Sequence, residues 1–129
     1  MVKQPKRRDE RTGSKDGKIP GIQHSFYGAI IREARIGPRR ELRLRIETWP
    51  EGSHRFGGGD MVILRFGAIA NFSEVQSVFA KPPADSLHYI RYLDESNERR
   101  HIVEMEFDRI ELRVRIVSGK LSTQVARPS

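Results

Sequence analysis

Apolar and polar residues alternate along most of this chain, and one stretch breaks the rhythm. From Glu41 to Trp49 the pattern is strict, with Leu42, Leu44 and Ile46 on one side and Arg43, Arg45 and Glu47 on the other. That is the period of a strand with one solvated face. The preceding segment, Phe26 to Ile36, ends at Gly37-Pro38, a turn signal, so the two predict a hairpin. Setting Ile36 opposite Leu42 places Ile30, Ala34 and Ile36 on the core face and Glu33 opposite Arg45, a favourable pair. The same register turns Arg32 inward and sets Arg35 against Arg43. The break in rhythm is Met61 to Ile69, a continuous apolar run that predicts a strand buried on both faces. Asn71 or Ser73 can cap a short helix after it, with Phe72, Val75, Val78 and Phe79 as one apolar stripe. Lys81-Pro82-Pro83 ends that helix.

Leu87 to Leu93 and His101 to Phe107 flank the polar stretch Asp94 to Arg100. As a hairpin with Tyr92 opposite His101, they share a face made of His88, Ile90, Tyr92, Val103, Met105 and Phe107, and Arg91 lies diagonal to Glu104. Asp85 or Ser86 could instead cap a helix carrying Leu87, Ile90 and Leu93; the alternation favours a strand. Ile110 to Val117 alternates once more, with Leu112, Val114 and Ile116 inward, and Ser118-Gly119 ends it. The predicted fold class is all-β, a mainly antiparallel sandwich or rolled sheet of six to seven strands with one short helix.

Length and charge refine this picture. The 129 residues fit one domain, placed at residues 19–120. Residues 1–18 hold seven Lys or Arg against three acids, so this segment carries +4 of the net +7. With so little apolar surface it is predicted to be a disordered basic tail. Residues 121–129 are predicted to be a frayed C-terminal tail. No cysteine is present, which excludes a disulfide framework and a thiolate metal site. No apolar run reaches the roughly 18 residues of a membrane span, and the expected location is the cytoplasm.

The chain carries little of what a reaction needs. Pro50 to Gly59 contains three consecutive glycines but neither GxxxxGK[ST] nor GxGxxG, so it reads as a loop rather than a phosphate cradle. His24, His54, His88 and His101 lack metal-ligand spacing and read as hydrogen-bonded structural residues. His54 and Asp60 share a loop and could form a base and its orienter, with no nucleophile in view. Glu104 and Glu106, about 7 Å apart along one strand face, read as surface ion-pair partners. Arg7 to Arg11 fits RxxxR and Asn71 to Gln76 comes near [DN]xSxxG, the cyclic-dinucleotide motifs of PilZ domains. Gln76 replaces the glycine and the spacing is far too long, so the match is taken as chance. No cofactor and no metal are expected.

The outward arginines form the most suggestive constellation. Arg35, Arg43 and Arg45 share one hairpin face, and Arg113 and Arg115 project similarly from the last strand. If those strands are neighbours, five arginines tile one sheet face and attract an anionic partner, although Glu33, Glu47 and Glu111 interleave with them. The cadence VILRFGAIANF followed by FDRIELRVRI resembles small bacterial β-sandwich proteins, some of them immunity partners of polymorphic toxins. The resemblance covers Ala29 to about Ser118 and implies a non-catalytic binding protein. The expected function is therefore a non-enzymatic interaction module with a protein partner. Nucleic-acid binding through the basic arm and the outward arginines is the alternative.

Overall fold

The computed structural model describes residues 17–49 and 59–126. The first hairpin joins β1 (Ile30–Gly37) to β2 (Glu41–Thr48) in the register expected from the sequence, with Ile36 opposite Leu42 and Glu33 opposite Arg45. Its three-residue loop puts Arg40 in the left-handed region, φ 58°, as a type I turn followed by a bulge residue requires. Arg40 is exposed. Arg40→Gly is therefore expected to raise stability by up to about 1 kcal/mol, the relieved left-handed strain exceeding the extra freedom of the unfolded chain. Urea denaturation checks this, and a loss of stability would contradict it.

Alternation in β1 is corrected at one point. A bulge between Ile31 and Glu33 sets Ile31 opposite Ile46, so Ile31 rather than Ile30 packs against the core. Arg32 is turned outward and pairs with Glu47, Nε to Oε1 2.8 Å. An extra residue in the strand thus removes the inward charge that strict alternation demanded.

The middle strand, β3 (Asp60–Ile69), lies between β2 and the last strand, β6 (Arg113–Ala126), in the order β1-β2-β3-β6-β5-β4, all neighbours antiparallel. The sheet has six strands and one short helix packs on it. Burial on both faces of β3 is not what the structure shows. Val62, Leu64 and Phe66 are buried, Met61 and Ile63 are only half-buried, and Arg65 is exposed. At Ala68, φ 52°, the alternation slips, so Ile69 joins the same core as Phe66. The same slip occurs across the ladder in β6, where Ser118 and Leu121 both face the core side.

The strand β6 does not stop at Ser118-Gly119. It runs 14 residues to Ala126, pairing first with β5 (His101–Phe107) and then with β3. Much of the segment expected to fray is therefore a ladder strand; only residues 127–129 lie outside the described residues, as do residues 1–16 at the other end. Gly17 is already part of the fold, since its carbonyl accepts the Tyr92 N–H at 2.9 Å.

The remaining hairpin joins β4 (Leu87–Tyr92) to β5. Tyr92 faces Val103, two residues from the expected partner His101, and Arg91 sits directly opposite Glu104. The longer turn is closed by Leu93 N–H to Ile102 O (2.9 Å) and by Ser96, whose hydroxyl accepts the Ile102 N–H (2.9 Å). A bulge between Leu87 and Tyr89 turns His88 off the core face. At one end β4 meets the residues that lead into β1: Leu87 N–H donates to Ala29 O (2.8 Å) and Gly28 N–H to Leu87 O (2.7 Å), and Ile30 of β1 bridges Ser86, just before β4. The two outer strands of the sheet therefore approach each other there.

The helix, α1 (Phe72–Phe79), buries Val75 and Phe79, with Phe72 and Val78 beside them. Asn71 occupies the cap position without capping. Its amide reaches β6 instead, donating to Arg115 O (2.7 Å) and accepting the Val117 N–H (3.0 Å). Asp85 caps no helix either; its carboxylate takes the N–H groups of Arg109 (2.8 Å) and Ile110 (3.0 Å).

Candidate functional site

The strand order separates the five outward arginines. Arg35, Arg43 and Arg45 stand on the outer face of the first hairpin, and β3 lies between β2 and β6. Arg113 and Arg115 belong to the half of β6 that pairs with β5. The expected single tile of five arginines is therefore two clusters with different electrostatics.

The β5–β6 cluster is balanced. Arg113 faces Glu106 and Arg115 faces Glu104 across the ladder, with N–O separations of 3.1 and 3.3 Å. His88 also bonds Glu106 (2.8 Å), and this bond and that of Arg113 hold the Glu106 carboxyl below its ordinary range. The Tyr89 hydroxyl donates to Glu104 (3.1 Å). Burial and that carboxylate push the Tyr89 pKa up. Arg91, the partner expected from the sequence, lies over the Tyr89 ring instead, 4.0 Å from its centroid. Each guanidinium of β6 thus has its own carboxylate, and little field is left over.

The cluster on β1, β2 and β3 is not balanced. Arg35 lies directly opposite Arg43, and Arg43 directly opposite Arg65. Three like charges in one row across adjacent strands, about 4.8 Å apart, destabilise a sheet unless something compensates. Glu33 compensates in part, approaching Arg35, Arg45 and Arg43 at 3.1, 3.4 and 3.9 Å. Partial desolvation would raise its pKa; the Arg45 hydrogen bond and the three guanidinium charges outweigh that and hold it low. Arg65 bonds only the Gln124 amide (3.2 Å) among the described residues, with no carboxylate in ion-pair range. The Arg43 Nε is buried with no hydrogen-bond acceptor among the described residues.

A groove of about 560 Å³ opens at this end of the sheet, where Gly67 of β3 pairs with Lys120 of β6. Arg35, Arg43, Arg65, Lys120 and Glu41 line it together with Leu42, Phe66 and Leu121. Neither Arg65 nor Lys120 belongs to the five outward arginines expected from the sequence. Arg65 is hidden inside the apolar run, and Lys120 lies beyond the glycine taken as the end of the strand.

Two other places hold chemistry-bearing groups. Asp60 pairs with His24, Nε2 to Oδ2 2.8 Å, both side chains about nine-tenths buried. This contact ties the segment before β1 to the start of β3; His54 lies outside the described residues. A smaller cavity, about 320 Å³, is lined by His24, Tyr27, His88, Tyr89 and Arg91 among others. His101 bonds the Tyr92 hydroxyl (2.8 Å). Among the described residues no His, Asp or Glu grouping has metal-site geometry, and no helix is long and apolar enough to cross a membrane. Comparison with family models, curated proteins and solved structures finds no match.

Proposed function

We propose that the protein is a non-enzymatic binding module that docks an acidic protein partner through the outer face of β1, β2 and β3. The observation that carries this reading is the row Arg35, Arg43, Arg65, three facing guanidinium groups of which Glu33 reaches two, while Arg65 has no carboxylate in range among the described residues. A sheet that keeps such a row without a partner gives up stability; an anionic partner would recover it. The next positions on the same face are Arg45 with Ile63, then Glu47 with Met61. Arginine beside half-buried aliphatic and methionine side chains is the composition of a protein interface. Glu33, Glu41 and Glu47 break up the field that a long phosphate backbone would follow. No aromatic side chain stands on that face of the three strands to stack a base.

Nucleic-acid binding is favoured by a different surface. Exposed Tyr27 meets His88 edge-on at 6.0 Å, and Tyr89 carries Arg91 on its ring, a set of groups on which bases could stack.

A fluorescent decaglutamate peptide and a ten-nucleotide single strand, each titrated over a range of salt, separate the two. The peptide is expected to bind, to weaken with salt, and to lose about tenfold or more with Arg43→Ser and Arg65→Ser combined. The oligonucleotide is expected to bind weakly and to be released when residues 1–16 are removed. Tight oligonucleotide binding at physiological salt by the chain that begins at Gly17 would overturn the protein-partner reading.

A further inference from the structure

The groove at the end of the arginine row carries more charge than one carboxylate can satisfy. Four cationic side chains, Arg35, Arg43, Arg65 and Lys120, line it against one acid, Glu41. Counting Glu33, which already bonds the row from the side, the surplus is two positive charges. A single Asp or Glu from a partner brings one negative charge; a phosphate monoester brings close to two near neutral pH, with three peripheral oxygens to accept N–H bonds. Guanidinium forks bind such a group in the bidentate manner a lysine cannot match. Beside these charges the lining is small, from Gly37, Pro38, Gly67 and Ser122, whereas Leu42 and Phe66 turn into the core, so a compact charged head can reach the guanidinium groups without a bulky side chain in its way.

We infer that this groove recognises a phosphate monoester dianion, presented as a phosphorylated side chain of the protein partner. The assignment rests on the docking face proposed above, because that face lies beside the groove and gives the flanking residues of such a segment a surface to follow. Arg43 is the central contact, because it stands between Arg35 and Arg65 in the row and lines the groove with them.

The test uses the full-length protein and three small probes of similar shape, phenyl phosphate, benzoate and benzyl alcohol, followed by calorimetry and by the arginine Nε–H NMR signals. Phenyl phosphate is expected to bind about tenfold or more tightly than benzoate, benzyl alcohol not measurably. Arg43→Met with Arg65→Met should abolish phenyl phosphate binding, whereas Arg113→Met with Arg115→Met should leave it unchanged. Thermal melts of both double variants show whether each is folded. If the first is not, Lys120→Met, an exposed position, takes its place and is expected to weaken binding severalfold. Equal affinity for phenyl phosphate and benzoate, or binding indifferent to Arg43, Arg65 and Lys120, would overturn the assignment. Decaglutamate docking without phenyl phosphate binding would overturn it while leaving the docking face intact; phenyl phosphate binding without peptide docking would overturn the face. A phosphotyrosyl hexapeptide is expected to bind more tightly than adenosine monophosphate, and the reverse order would overturn the protein source of the phosphate.

Discussion

Phe66→Ala is expected to destabilise the protein by about 3 to 5 kcal/mol and Leu64→Ala by about 2 to 5, against well under about 1 kcal/mol for Arg43→Ala. Phe66 and Leu64 are 2% and 0% exposed, in a strand flanked on both edges by other strands. Leu42 faces Phe66 from one side and Leu121 from the other. Removing the ring therefore opens a cavity that hydrogen-bonded strands on both edges keep from collapsing. Arg43 is partly exposed, and its loss also removes a like-charge contact with Arg35 and Arg65. Chemical denaturation of the three variants checks the contrast. Similar costs for all three would show that β3 is not the strand around which the core is built.

A chain ended at Ser118 is expected to lose the cooperative fold altogether. Residues 120–126 supply almost the whole partner edge of β3, from Gly67 opposite Lys120 to Met61 opposite Ala126. Without them a row of backbone N–H and C=O groups in the middle of the sheet has no partner, and each unsatisfied group that stays out of water costs about 1 to 3 kcal/mol. Leu121 and Val125 also leave the core. A few such losses exceed the stability of a typical domain of this size. Far-UV circular dichroism and a thermal melt decide the matter; a cooperative transition at an unchanged Tm would mean that the second half of β6 is dispensable.

Parts of this architecture were legible from residue pattern alone. The first hairpin was, because Leu42, Leu44 and Ile46 alternate cleanly and Gly37-Pro38 marks the turn. Both bulges were visible only as faults: Arg32 and His88 each fell on an otherwise apolar face. In each case the backbone gains a residue so that the apolar side chains stay inside and the polar one leaves. The β4–β5 register missed by two residues because it depends on where Leu93 and Ser96 close the turn, and alternation carries no information on that. The second half of β6 was illegible for a different reason. Lys120 to Ala126 contains few apolar residues, and its strand conformation comes from the waiting edge of β3, far away in sequence. The same two causes limited the site. Arg35, Arg43 and Arg45 follow from the first register, whereas Arg65 and Lys120 needed the neighbours of β3 to be known.

The bulges at Arg32 and His88 lie in β1 and β4, the two outermost strands of the sheet. An outer strand that is straight and regularly hydrogen-bonded offers other chains a template, the first step toward stacked aggregates. Here each outer strand is bent by an inserted residue, and that residue puts an ionisable side chain outward, Arg32 paired to Glu47 and His88 paired to Glu106. At the end where β1 and β4 approach, Leu87 spends both its backbone groups on Gly28 and Ala29, just before β1. The devices that keep polar groups out of the core thus also make both outer strands poor templates for a further strand.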